Sequence, residues 1–154
     1  MGYTHYIERP KTLSKMKFKK VAKDVKTLMD LNLHGNLNAG GIYKDSPCII
    51  AGPMGKGKSI VTEDLIAFNG LESVSEDLSH ESFYLEREAE EIMQFTKTNG
   101  KPYDILVCMS MLSLKHHFGE KVTISSDGGF DDWKQAIELY EHTTGRKVDN
   151  SFLT

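Results

Sequence analysis

The chain has 154 residues, of which 39% are hydrophobic and 27% charged, and this balance fits one ordinary domain and excludes a disordered or fibrous protein. A net charge of −3 argues against general binding to nucleic-acid phosphates. The longest apolar stretch, residues 105–114, is too short to cross a membrane, and no signal-peptide pattern is visible. Cys48 and Cys108 lie in apolar runs, which indicates buried thiols in a reducing, cytoplasmic setting.

Hydrophobic periodicity predicts the elements of the first half of the chain. Alternating residues predict a strand over 2–8, and apolar residues at three- and four-residue spacing predict a helix over 15–33, capped by Ser14. Six lysines occupy the outer faces of that helix. Four successive strands are then expected over 48–51, 65–68, 82–86 and 91–97, with a turn at Asn69-Gly70 and an exposed acidic loop over 72–77.

The second half contains two predicted helices. Pro102 opens a helix that reaches about residue 118, and its apolar residues on nearly every face predict the buried central helix. A strand over 122–125 precedes a last helix, which Gly145 ends, and the tail 146–154 is expected to be loose. Clustered strands favour an α+β fold, a single domain with a mainly antiparallel sheet of about five to six short strands and three helices.

Residues 52–59 match the phosphate-loop pattern G-x-x-x-x-G-K-[ST] at every position. In such a loop Gly52 and Gly57 permit close backbone contacts, Lys58 reaches the phosphates and Ser59 holds Mg²⁺. A helix must follow the loop to complete the anion site, but a β-branched run follows at 60–62. The sequence therefore favours a hairpin loop between two antiparallel strands, with a P-loop-like nucleotide hydrolase as an alternative.

Three polar clusters lie at the ends of predicted elements, where pockets form. His5 stands between Thr4 and Tyr6, either as a hydrogen-bonded core histidine or, where its face lines a cleft, as a ligand or proton-transfer residue. Lys97 and Tyr103 flank the start of the central helix, and the run Ser-Ser-Asp at 125–127 precedes the last helix. Hydroxyls and backbone donors at a helix start hold an anion or simply cap the helix. The histidines lack zinc-ligand spacing, so no metal site is predicted.

Several landmarks, in order along the chain, resemble a family of small uncharacterised proteins of bacteriophages, prophages and bacteria. They are Met-Gly-Tyr-Thr-His-Tyr at 1–6, Ile-Ala-Phe-Asn-Gly at 66–70, Phe-Thr-Lys-Thr-Asn-Gly-Lys-Pro-Tyr-Asp at 95–104, Leu-Lys-His-His-Phe at 114–118, and Ser-Ser-Asp-Gly at 125–128 followed by Asp132-Trp133. The resemblance implies a phage or mobile-element setting and carries over no activity and no catalytic residue.

We therefore predict a cytoplasmic phage-type accessory protein that binds a small anionic ligand, such as a nucleotide or nucleotide-derived defence signal, to counter host immunity. The predicted ligand-binding residues are Thr4, His5, Tyr6, Lys97, Tyr103, Ser125, Ser126 and Asp127. The alternatives are a protein-interaction module that acts on a host protein through the basic helix 15–26, and the nucleotide hydrolase. No cofactor, membrane or general nucleic-acid partner is expected, and a homo-oligomer is compatible with the charge pattern.

Overall fold

The strands form two antiparallel sheets, and the computed structural model describes residues 3–31 and 47–153 of the chain. Within those residues the elements are β1 (Thr4–Glu8), α1 (Lys15–Met29), β2 (Ile50–Ala51), β3 (Ile60–Val61), β4 (Leu65–Gly70), β5 (Phe83–Glu86), β6 (Met93–Lys97), α2 (Asp104–Phe118), β7 (Thr123–Ser126) and α3 (Phe130–Thr144). This confirms the predicted single α+β domain with antiparallel strands.

The first sheet has the order β6-β1-β7, with the first strand of the chain at its centre. Tyr6 lies opposite Phe95 of β6 and Ser125 of β7, so these three side chains project to the same side of the sheet. His5 projects to the other side, where it is buried against Trp133 of α3. We call the side of His5 the covered face and the side of Tyr6 the open face.

The second sheet is built around β4, which pairs antiparallel with β2, β3 and β5. The loop 52–59 leads into a strand, as the sequence predicted. However, β2 and β3 both pair with β4 and not with each other, so the loop is not a simple hairpin. The predicted turn at Asn69-Gly70 is wrong, because β4 continues to Gly70. Asn69 is buried there and binds the returning chain at His80.

The central helix α2 is buried along most of its length, as predicted. Leu106, Met109 and Leu114 have no exposed surface. Its two serines are compatible with this burial because both hydroxyls are bonded: Ser110 donates to the carbonyl of Leu106 at 2.7 Å, and Ser113 donates to Asp24 of α1 at 2.7 Å. The helix therefore connects the packing of α1, α3 and the first sheet.

The end of α1 and the segment after α3 both differ from the prediction. Helix α1 begins after Ser14, whose hydroxyl accepts from the backbone of Lys17, but it ends at Met29; residues 32 and 33 of the longer predicted helix lie outside the described residues. The tail is not loose over residues 146–153, since Arg146 pairs with Asp24 and Phe152 is buried. No helix within 3–31 and 47–153 is both long and apolar enough to cross a membrane.

Candidate functional site

The pairing register divides most of the predicted ligand-binding residues between the two faces of the first sheet. The open face carries Thr4, Tyr6, Lys97, Ser125 and Asp127, which we call the open-face cluster. The covered face carries His5 and Ser126. Tyr103 belongs to neither group, because its buried hydroxyl donates to the carbonyl of Glu81 at 2.5 Å. The structure therefore brings five of the predicted residues together and separates the other three from them.

Asp127 organises the open-face cluster. One carboxylate oxygen accepts the backbone N–H of Thr4 at 3.1 Å, and the other accepts the hydroxyl of Tyr6 at 3.1 Å. Accepting that hydroxyl raises the pKa of Tyr6, so the phenol remains protonated. Lys97 lies opposite Thr4 in the register, and none of the described residues pairs with its ammonium. The cluster thus offers a free cation, hydroxyl groups and a carboxylate with remaining acceptor capacity.

The sequence reasoning missed Phe95, which belongs to the same surface. Its side chain is 67% exposed and lies directly opposite Tyr6 across the β1–β6 pair. Opposed Cβ atoms are about 5 Å apart in such a pair, so the two side chains leave the sheet from neighbouring positions on the open face. The sequence could have identified Phe95. Side chains alternate between the two faces of a strand, and Phe95 is two residues from Lys97 in β6, so both lie on the same face.

His5 lies at the centre of a hydrogen-bonded cluster on the covered face. Its Nδ1 is 2.9 Å from the hydroxyl of Ser126, and its Nε2 is 2.6 Å from Asp104 Oδ1 at the start of α2. The thiol of Cys108, one turn further along α2, is 3.7 Å from Nε2 and 3.5 Å from Asp104 Oδ2. His5 is therefore held through both ring nitrogens, which is the core role that the sequence offered as one of its two possibilities.

The carboxylate of Asp104 accepts hydrogen bonds from several sides. The hydroxyl of Thr98 donates to it at 2.5 Å, in addition to the contacts with His5 and Cys108. Burial raises the pKa of the Cys108 thiol well above its usual value, and the neighbouring Asp104 charge raises it further. The thiol is consequently protonated, so Cys108 is not a ready nucleophile.

A cavity of about 240 Å³ adjoins this cluster. Its wall includes Tyr3, Asp104 and Cys108, together with Asp132 from the first turn of α3. Ligand pockets usually measure about 300–1,000 Å³, so this cavity fits an ion with its water or a small fragment better than a whole dinucleotide. Lys101 lines the cavity as well as the two carboxylates, so its wall carries charges of both signs.

The residues of the phosphate-loop pattern do not form an anion cradle. A Cβ atom on Gly52 would lie 2.3 Å from the carbonyl oxygen of Lys58 and 2.6 Å from that of Lys56, so carbonyl oxygens crowd the position. The hydroxyl of Ser59 donates to the sulfur of Met29 at 3.0 Å, and β3 follows where a helix would be required. Lys58 is exposed, and the backbone N–H groups of Gly52 and Gly55 are already bonded within the loop, to the carbonyls of Gly57 and Gly52.

Comparison with family models, with curated proteins and with solved structures finds no significant match to this chain. Its function is therefore inferred from its own residues and their geometry.

Proposed function

We propose that this chain binds a nucleotide or nucleotide-derived ligand on the open face of its three-stranded sheet. The observation that carries the proposal is the pairing of β1 with β6. It places the aromatic side chains of Tyr6 and Phe95 opposite one another, and it places Lys97, whose ammonium is unpaired among the described residues, opposite Thr4. An exposed antiparallel sheet with neighbouring aromatic side chains is a platform on which bases stack.

Each part of such a ligand has a matching group in this cluster. The base stacks on the exposed ring of Phe95, and Tyr6 lies opposite Phe95 in the register. The ammonium of Lys97 bonds a phosphate oxygen. Ribose hydroxyls donate to Asp127, whose oxygens each accept a single hydrogen bond from the described chain. With Lys97 against Asp127, and with Glu8 further along the same face of β1, the surface favours a ligand with few phosphates over a long polyanion.

The role that fits a phage setting is sequestration of a nucleotide-derived defence signal. The open-face cluster supplies an ammonium, hydroxyl groups and a carboxylate, which are groups that bind a ligand. We therefore propose binding without turnover as the function of the open-face cluster.

A thermal-shift screen tests the proposal first. The purified chain is heated with ATP, GTP, NAD, ADP-ribose, and cyclic di- and trinucleotides, each with and without Mg²⁺. A ligand present at about 100 times its Kd stabilises the native state by about 2.7 kcal/mol, so binding is visible as a raised Tm. We expect a rise with at least one nucleotide, and no requirement for Mg²⁺.

Three variants then locate the binding site of the nucleotide that raises the Tm. Phe95→Ala and Lys97→Ala should each weaken binding about 10-fold, since one loses stacking and the other a charged hydrogen bond. Lys58→Ala is the matched lysine control and should bind like the wild type. If binding needed Mg²⁺ and were lost in Lys58→Ala, the nucleotide would bind at residues 52–59, the phosphate-loop pattern, and not at the open face. Equal binding by all three variants would overturn the open-face site.

A second candidate function rests on helix α1. Six exposed lysines cover its outer surface, and Asp24, an acidic residue within it, already pairs with Arg146. This basic surface suits an acidic host protein. Reversing the charge at Lys19 and Lys23 should abolish association with such a partner in sedimentation experiments, whereas Lys97→Ala should leave it unchanged.

A further inference from the structure

From the geometry of the covered face we propose a divalent transition-metal site, best suited to Zn²⁺, formed by His5, Asp104 and Cys108. Nε2 of His5, a carboxylate oxygen of Asp104 and Sγ of Cys108 all lie within 4.8 Å of one another. Imidazole, carboxylate and thiolate are the ligand types that zinc takes in proteins. The site is separate from the open-face cluster, because it lies on the opposite side of β1.

The ligand distances fit tetrahedral coordination. Zinc bonds of about 2.3 Å to sulfur and about 2.0–2.1 Å to nitrogen or oxygen place the sulfur roughly 3.5–3.6 Å from each of the other two ligands. Sγ of Cys108 is 3.7 Å from Nε2 of His5 and 3.5 Å from Oδ2 of Asp104. The remaining contact, 2.6 Å, joins Nε2 to the other carboxylate oxygen, Oδ1. This hydrogen bond must open by under 1 Å, and the carboxylate must turn so that a single oxygen takes the third ligand position.

The surrounding residues orient these ligands as an outer shell does in a metal site. Ser126 contacts the second ring nitrogen of His5 at 2.9 Å, and Thr98 donates to Asp104 at 2.5 Å. Tyr3 and Trp133 meet the imidazole edge to face, with ring centroids 4.9 Å and 5.3 Å away, and fix its plane. The ligand side chains therefore need little reorganisation before they bind the ion.

The cavity beside the three side chains leaves room for a fourth ligand of the ion. Asp104 and Cys108 both line the cavity of about 240 Å³, and this is large enough for a water molecule or a small ligand beside the ion. Closed structural zinc sites use four protein ligands, whereas three protein ligands and an open position are typical of sites that bind or activate a small molecule. Asp132 of α3 lines the same cavity and would accept a hydrogen bond from a bound water.

Metal binding changes the protons at the site in a balanced way. The Cys108 S–H bond breaks, its electron pair forms the bond to the metal and the proton leaves to solvent. In the metal-free site Nε2 donates its proton to the Asp104 carboxylate. On metal binding this proton leaves Nε2, and the neutral imidazole keeps one proton on Nδ1, directed to the oxygen of Ser126, so that the lone pair of Nε2 binds the metal. One Zn²⁺ then neutralises the thiolate and the Asp104 carboxylate, so the ion replaces the thiol proton without leaving an unpaired buried charge.

Titration of the reduced, chelator-treated full chain with Co²⁺ tests this proposal. Co²⁺ bound by a thiolate gives a sulfur-to-metal charge-transfer absorption, and a tetrahedral site gives intense visible bands. We expect both signals to saturate at one equivalent and to be displaced by one equivalent of Zn²⁺. Absence of the thiolate absorption in the wild-type chain would overturn the proposal, whatever the variants do.

Cys108→Ser should lose the thiolate absorption and weaken Zn²⁺ binding by about 100-fold or more. Cys48→Ser is the matched control, because Cys48 is the other buried free thiol and contacts the carbonyl of Pro102. Ser126→Ala should keep the absorption but bind about 10-fold more weakly, since only the orientation of His5 is lost. Circular dichroism without metal verifies that each variant folds. Loss of the signal in Cys48→Ser, with retention in Cys108→Ser, would assign the metal elsewhere.

Discussion

Asn69 is a buried polar side chain whose hydrogen bonds replace the turn that the Asn-Gly pair predicts. Its amide oxygen accepts the backbone N–H of Gly70 at 2.7 Å and that of His80 at 3.0 Å, while its nitrogen donates to the carbonyl of His80 at 2.9 Å and the hydroxyl of Ser82 at 3.0 Å. An Asn-Gly pair usually makes a turn, but here the side chain uses its full hydrogen-bonding capacity to hold the segment before β5.

We expect Asn69→Ala to lower the free energy of unfolding by about 3 kcal/mol, because the buried N–H of Gly70 and the backbone groups of His80 lose their partners. Urea denaturation measures this effect. Asn150→Ala is the control, since Asn150 is exposed and should change stability by less than about 0.5 kcal/mol. Equal midpoints for the two variants would show that these hydrogen bonds contribute little.

At the scale of elements, Asp24 connects two helices with the segment that follows a third. Its carboxylate accepts from Ser113 at 2.7 Å and from His117 at 2.9 Å, both on α2, and from Arg146 at 2.6 Å, just beyond α3. Burial alone would raise the pKa of Asp24, but the hydrogen bonds from His117, Arg146 and Ser113 outweigh it and hold the pKa well below its usual range. The network therefore stabilises the folded chain while Asp24 is ionised.

This network predicts a specific dependence of stability on pH. A carboxyl whose pKa is lower in the folded state contributes stability above its unfolded pKa of about 3.9 and loses it as the pH falls. We expect Asp24→Asn to be about 3 kcal/mol less stable than the wild type at pH 7, with the difference shrinking towards pH 2.

Denaturation curves at pH 7, 5 and 3 check that prediction. Asp30→Asn, at an exposed position just beyond α1, should follow the wild type at every pH. A difference for Asp24→Asn that is as large at pH 3 as at pH 7 would mean that packing, and not charge, explains its effect.

At the scale of the whole molecule, the C-terminal segment closes the core. The backbone N–H of Val148 donates to Glu141 at 2.7 Å, and Leu153 forms a parallel bridge with Ile124 of β7. Phe152 is buried with its ring centroid 5.2 Å from that of Trp133, which itself packs against His5. The segment thus packs against Trp133, which in turn packs against His5 of the proposed metal site.

Removing residues 147–154, which leaves the Arg146–Asp24 pair in place, should therefore lower the free energy of unfolding by about 4 kcal/mol, the effect of losing a large buried aromatic side chain. Phe152→Ala alone should account for most of that loss, and Lys147→Ala, at an exposed position, for almost none. Thermal and urea unfolding of the three variants provide the comparison. A truncated chain as stable as the wild type would mean that this segment is loose, as the sequence predicted.

The sequence by itself determined the fold class and most of the elements. Alternation in β1, the helical spacing in α1 and the apolar faces of α2 are local patterns that report which side chains must be buried. In β6 the pattern fails, because the apolar Met93 and Phe95 are exposed and Thr96 is buried. It also named Thr4, Tyr6, Lys97, Ser125 and Asp127, since polar residues at the ends of elements are readable without coordinates. It missed β3 as a separate strand and treated Asn69-Gly70 as a turn, because both depend on long-range partners.

Only the tertiary structure decided which of those residues meet. The register of β1 puts Tyr6 and Lys97 on one face and His5 on the other, and a period of two separates neighbours that the sequence places side by side. Asp104 and Cys108 show the spacing of one helical turn, but His5 is 99 residues from Asp104 along the chain. Such a contact depends on how α2 packs against β1, and packing over that separation leaves no local pattern in the sequence.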